Sequence, residues 1–159
     1  MEAALLVAAR KAGIERAALL AEKPEEKEYA FDPEFKMMAT VHKTDGGYRA
    51  AVKGAPEAIL EACSRIEGPA DEQDAAAGRK AWLERNNEMA ESGLRMLALA
   101  KKEVESAEED PYEGLEFIGL VGLLDPPREE VKEPISQAQS AGMRIIMVTG
   151  DQAATARNV

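Results

Sequence analysis

Polar and apolar positions follow one rhythm up to about residue 115 and another after it. Residues 2–12 are rich in Ala and Leu and end at Gly13, which predicts a helix with a glycine stop. Residues 21–28 are polar, carry Pro24 and suit a loop. Residues 29–31 and 35–43 suit extended chain, broken at Asp32-Pro33. Thr44-Asp45-Gly46-Gly47 is a hairpin turn, so residues 36–43 and 48–53 should pair antiparallel. Helices are expected over 55–65 and 71–92, the second stopped by Gly93. Residues 94–102 suit a strand, with Leu94, Met96 and Ala98 on one face and Arg95, Leu97 and Leu99 on the other. Residues 106–114 suit an acidic loop.

From Phe117 the apolar positions run together. Residues 118–124 form a continuous apolar run, as a strand buried on both faces does. Residues 128–141 suit a helix with Val131, Ile135 and Ala138 on one stripe, Pro134 in its early turns and Gly142 at its end. Residues 144–148 suit a second buried strand. Strand, helix and strand with short links predict a parallel right-handed unit. The expected fold is therefore α+β over residues 1–115, an antiparallel sheet flanked by helices. A fragment of an α/β sheet is expected over 116–159. No internal repeat is visible.

Composition narrows the possibilities. The chain has 159 residues, enough for one good core and a piece of another. No apolar run reaches the ~18–20 residues of a membrane span, and no signal-peptide pattern opens the chain. Its formal net charge of -10 disfavours nucleic acid and anionic membranes, while leaving room for a small anion held by a local cationic patch. The single cysteine, Cys63, precludes an internal disulfide and suits a reducing compartment. One histidine, His42, and one cysteine offer no zinc spacing, and His42 receives no role.

The densest chemistry is Lys53-Gly54-Ala55-Pro56-Glu57. A lysine ends a strand, a glycine allows close approach to the backbone, and Pro-Glu opens a helix. Taken alone, this suits a hairpin end followed by a helix start as well as a ligand site. Asp125 and Thr149-Gly150-Asp151 stand at the carboxyl ends of the two expected buried strands, where open α/β sheets bind ligands. Capping of the following helices is the plainer role for those two carboxylates. Lys36 and Met38 are two apart on an expected strand and so share a face, as do Arg95 and Leu97. Phe31 and Met38 each suit a core as well. Together these residues supply an aromatic face, an apolar wall and spaced cations, an inventory fit for a nucleotide.

In order along nearly the whole chain, these segments resemble the cytosolic part of a P-type cation-transporting ATPase of the calcium-pump-like group. Met1-Glu2-Ala3-Ala4-Leu5 is similar to the end of the family's Asp-Pro-Thr-Glu-x-Ala-Leu motif, and Phe31 to Met38 to its Phe-Ser-x-x-x-Lys-x-Met segment. The lysine motif at Lys53 matches in full. Leu94-Arg95-Met96-Leu97-Ala98 is similar to the family's Leu-Arg-x-Leu-Ala strand. Asp125-Pro126-Pro127-Arg128 and Met147-Val148-Thr149-Gly150-Asp151 match two phosphorylation-domain motifs. The resemblance implies a nucleotide-binding domain over 1–115 and part of a haloacid-dehalogenase-like phosphorylation domain over 116–159. It implies that Phe31 stacks on adenine, that Glu2 lies near the adenine amino group, and that Lys36 and Lys53, with Gly54 beside it, line the pocket. Arg95 would reach the phosphates, while Met38 and Leu97 would be apolar walls. Asp125, Thr149, Gly150 and Asp151 would support the phosphorylation site.

The resemblance further implies ATP and Mg²⁺ as ligands of a membrane-bound parent, with this region cytoplasmic. Its partners would be the parent's phosphorylation, actuator and membrane domains. Neither the family's Asp-Lys-Thr-Gly-Thr motif, with its phosphorylated aspartate, nor its Gly-Asp-Gly-x-Asn-Asp motif occurs in these 159 residues. The chain is therefore expected to be a soluble, monomeric piece that binds nucleotide weakly without turnover. A stand-alone nucleotide-sensing module is the rival reading. A phosphohydrolase of the haloacid-dehalogenase type would need an Asp-x-Asp-x-Thr nucleophile, which this sequence lacks.

Overall fold

The computed structural model describes residues 2–66, 75–124 and 129–148. At its centre is a six-stranded sheet in the order β1-β2-β3-β5-β6-β4. The strands are β1 (Glu25–Asp32), β2 (Met37–Thr44), β3 (Gly47–Gly54), β4 (Cys63–Arg65), β5 (Arg95–Val104) and β6 (Leu115–Leu123). All neighbours pair antiparallel except β4 and β6, which are parallel, so the sheet is mixed rather than purely antiparallel. Among the described residues five α-helices accompany it: α1 (Glu2–Lys11), α2 (Arg16–Glu22), α3 (Pro56–Ala62), α4 (Ala75–Glu91) and α5 (Lys132–Ser140).

Strand alternation divides the sheet into two faces. Met37, Ala39 and Val41 of β2, with Ala50 and Val52 of β3, point towards α3 and α4 and are almost fully buried. They enclose Ile59 and Leu60 of α3 and Leu115 of β6, each 0% exposed. Burying a side chain of that size fully is worth roughly 1.5–3 kcal/mol. Trp82 of α4 packs on Phe117 of β6 with ring centroids 5.1 Å apart. Where α3 ends, its last carbonyls lack helical partners. Arg79 of α4 fills part of that need, donating from Nε to the Leu60 carbonyl at 2.8 Å and from Nη2 to the Cys63 carbonyl at 3.2 Å.

The expected hairpin is present, with β2 and β3 in register from Met37↔Gly54 to Thr44↔Gly47. The stop after α4 is Gly93, whose φ of 84° is the left-handed conformation that glycine adopts without a Cβ penalty.

Several expectations are corrected. The helix from residue 55 ends at Ala62, and the next three residues become β4. Helix α2 had no counterpart in the expected elements. Strand β1 begins at Glu25, four residues earlier than expected, because pairing with β2 outweighs its polar composition. The apolar run from residue 118 lies in β6, on the same sheet as β1–β5, and is not a strand buried on both faces. The expected boundary at 115/116 falls within β6, which begins at Leu115 and pairs with β5. Residues 143–148 form no strand, and Met143 and Ile145 to Val148 are exposed, so the parallel strand–helix–strand unit is not formed among the described residues.

Candidate functional site

The sheet face away from α3 and α4 carries the site. Register places Met38, Lys53, Leu99 and Gly119 in one row across β2, β3, β5 and β6. Two-residue alternation sets Leu97 and Arg95 on the same face of β5 as Leu99. A shallow depression of about 170 Å³ lies here, walled by Met38, Thr40, Ala51, Lys53 and Leu99. Sites that enclose a whole small molecule run to about 300–1,000 Å³. This one therefore suits part of a ligand, such as a flat ring, with the remainder in solvent.

The row beside it explains Gly54. Asp32, Met37, Gly54 and Ala98 are register partners at the same end of the sheet. A Cβ on Gly54 would stand 2.5 Å from the Lys36 carbonyl oxygen and 2.7 Å from the Met37 side chain. The backbone that approaches Gly54 is thus the chain's own. Ala55 donates its N–H to that same Lys36 carbonyl at 3.0 Å, which clamps the β1–β2 turn against the start of α3.

Lys36 itself is not on β2, as its spacing from Met38 suggested. It ends the turn at φ 55°, a left-handed conformation that costs a non-glycine residue roughly 1–2 kcal/mol. Its N–H donates to the Asp32 carbonyl at 2.7 Å, and the Asp32 carboxylate accepts from the Glu34 N–H at 2.7 Å. The turn therefore fixes an exposed lysine at the end of the sheet where Lys53 stands.

Lys53 is half-buried, and its ammonium is ion-paired to the Glu2 carboxylate at the start of α1. Phe31 lies in the irregular part of the β1–β2 pairing and is 60% exposed, so it is not a core aromatic. Leu97 is buried and Arg95 exposed, and Met38 is half-buried. The structure thus brings Glu2, Met38 and Lys53 together, with Leu97 and Arg95 further along the same face, and sets Phe31, Lys36 and Gly54 around one end of it. Asp125, Thr149, Gly150 and Asp151 lie outside the described residues.

Sequence reasoning missed Leu99, Thr40 and Ala51. Alternation had put Leu99 on a face with Leu97 and Arg95, but only strand register sets it opposite Lys53. Chemically the face offers a cation, a carboxylate, an apolar floor and an accessible ring. Among the described residues no three His, Cys, Asp or Glu side chains stand close enough to hold a metal.

The model of one protein family, described as P-type ATPase, cytoplasmic domain N, matches residues 1–130. The chain belongs to that family. It is 37% identical to the cation-transporting ATPase pma1 of Synechocystis over 99% of this chain and 18% of that protein. It is 41% identical to calcium-transporting ATPase 1 of Bacillus cereus over 81% of this chain and 15% of that protein. It is 39% identical to the sodium/potassium exporting P-type ATPase cta3 of Schizosaccharomyces pombe over 84% of this chain and 13% of that protein. The chain therefore spans less than a fifth of the length of these P-type ATPases. Among its described residues no helix is long and apolar enough to cross a membrane.

Proposed function

We propose that this domain binds ATP on the open face of its sheet, as the nucleotide-binding part of a cation-transporting P-type ATPase. The observation that carries the proposal is the cross-strand row Met38–Lys53–Leu99, an apolar floor with one half-buried ammonium in it. Adenine lies on Met38, Leu97 and Leu99, with Phe31 against its other face and Glu2 near its amino group. Lys53 and Lys36 draw the ligand to this end of the sheet, and Arg95 serves the phosphates.

Mg²⁺ arrives with the phosphates and neutralises their charge. In the longer protein, closure of this domain on a phosphorylation domain brings the γ-phosphate to an aspartate that is absent from this sequence. Asp125, Thr149, Gly150 and Asp151 belong to that second domain in this proposal and support the phosphorylated site.

The test is an ATP titration of the isotopically labelled chain, followed by amide shifts. Saturable shifts are expected at Met38, Lys53 and Leu99. Lys53→Ala and Phe31→Ala should each weaken binding about tenfold, the scale of one charge-assisted hydrogen bond or one stacked ring. The assignment fails if no shift saturates, or if both substitutions leave the titration unchanged.

A further inference from the structure

A second concavity, of about 750 Å³, lies between the β1–β2 turn, the first turns of α3 and the β5–β6 loop. Its floor is apolar: Phe35, Met37, Ala58 and Tyr112. Phe35 stacks on Tyr112 with ring centroids 5.4 Å apart and planes 19° from parallel, yet stays 50% exposed. The loop that carries Tyr112 is anchored, since Lys102 pairs with Glu109 and donates to the Asp110 carbonyl, and Tyr29 donates to the Ala107 carbonyl. The floor is therefore a built surface.

The rim is acidic. Glu34, Glu57, Glu61, Asp110 and Glu113 line it against one cation, Lys36, and the four glutamates have no ion pair or side-chain hydrogen bond among the described residues. Several carboxylates elsewhere on the sheet and in its loops are matched: Glu103 with Arg49, Glu116 with Lys101, Glu108 with Lys27. Four unmatched carboxylates line this one groove.

We infer that the groove docks an extended, arginine-bearing segment of a partner protein. The carboxylates are too dispersed for three of them to hold one metal ion, so their complement is a string of cations. A planar guanidinium stacks on the open face of Phe35 and engages a carboxylate with its fork, which an ammonium does not. A second copy of this chain is disfavoured because each carries a formal charge of -10. With five carboxylates against the one ammonium of Lys36, the rim also disfavours phosphates.

The experiment titrates the labelled chain with a capped peptide of alternating arginine and leucine, with its lysine counterpart, and with Mg²⁺ alone. The arginine peptide should give saturable amide shifts at Phe35, Glu57, Glu61 and Tyr112, stronger than the lysine peptide gives. Glu57→Gln combined with Glu61→Gln should weaken binding about two- to fivefold per charge removed. Phe35→Leu, which keeps an apolar floor, should abolish the preference for arginine. Shifts spread evenly over the acidic residues 22–28, indifference to these substitutions, or equal shifts with Mg²⁺ would overturn the inference. ATP-induced shifts at Met38 and Leu99 in the same samples report separately on the nucleotide proposal.

Discussion

The Lys53 ammonium and the Glu2 carboxylate form an ion pair across 51 residues of sequence, joining the start of α1 to the end of β3. Helix α1 has no buried residue among those described, so this pair is a principal tether. A ten-residue helix is marginal by itself in water. Glu2→Gln should therefore speed amide exchange in α1 while β3 stays protected. Equal protection of α1 in both proteins would show that the pair does not hold the helix.

Lys53 can serve Glu2 or a phosphate. Its exposed pair with Glu2 is worth no more than about 1 kcal/mol, which a polyanionic ligand can exceed. Glu2→Gln should weaken adenosine binding, if the carboxylate meets the base, by a larger factor than it weakens ATP binding. Equal losses for both ligands would remove Glu2 from the base contact.

Gly54→Ala drives a methyl group into the Lys36 carbonyl, a backbone atom that cannot rotate away. The expected cost is about 1–3 kcal/mol, measured as a lower denaturant midpoint. Lys36→Gly should do the reverse for the turn, relieving the left-handed strain while removing the cation. A domain unaffected by Gly54→Ala would mean that the turn shifts freely.

Leu99 is the floor residue that the motifs overlooked. Leu99→Ala should deepen the depression and weaken ATP binding several-fold with a small change in stability, since the residue is only half-buried. Binding that matches the parent chain would place the base elsewhere on the face.

Burial pushes the Cys63 thiol from 9.0 up to about 11. The folded domain therefore retains that proton where the unfolded chain loses it. Stability from this source is complete below pH 9 and is lost as pH rises towards 11. Cys63→Ala should flatten that alkaline decline, and the native thiol should resist alkylation at pH 8 until denaturant is added. Rapid alkylation of the folded chain would contradict its burial.

At the acid end, Glu109 is held below its usual range by the Glu105 N–H and by Lys102. Its stabilising contribution is present above the ordinary carboxylate pKa and is lost as pH falls through the lowered one. Amides of residues 105–114 should therefore exchange faster in acid than those of β5, and Lys102→Met should bring the change to higher pH. Uniform exchange across the loop and strand would remove the clamp.

Much of the scaffold was legible because its signals are local. The β2–β3 hairpin follows from a turn flanked by extended runs, and the stops at Gly13 and Gly93 follow from the ends of helical patterns. The site residues were legible as motifs, but their placement was not. Lys36 belongs to a turn and not to β2, because the Asp32-Pro33 break extends further than strand spacing suggests.

By itself, then, the sequence determined the β2–β3 hairpin, the glycine helix stops, the side-chain parity along β5 and the family. Tertiary structure decided which strands became neighbours. Three residues after α3 form β4 only because β6 supplies a parallel partner, and the apolar run in β6 lies in the first sheet because β5 has a free edge for it. Leu99 faces Lys53, and Glu2 reaches it, through contacts between distant parts of the chain. Such contacts depend on closing long loops and matching hydrogen-bond register, and neither leaves a periodic trace in the residues themselves.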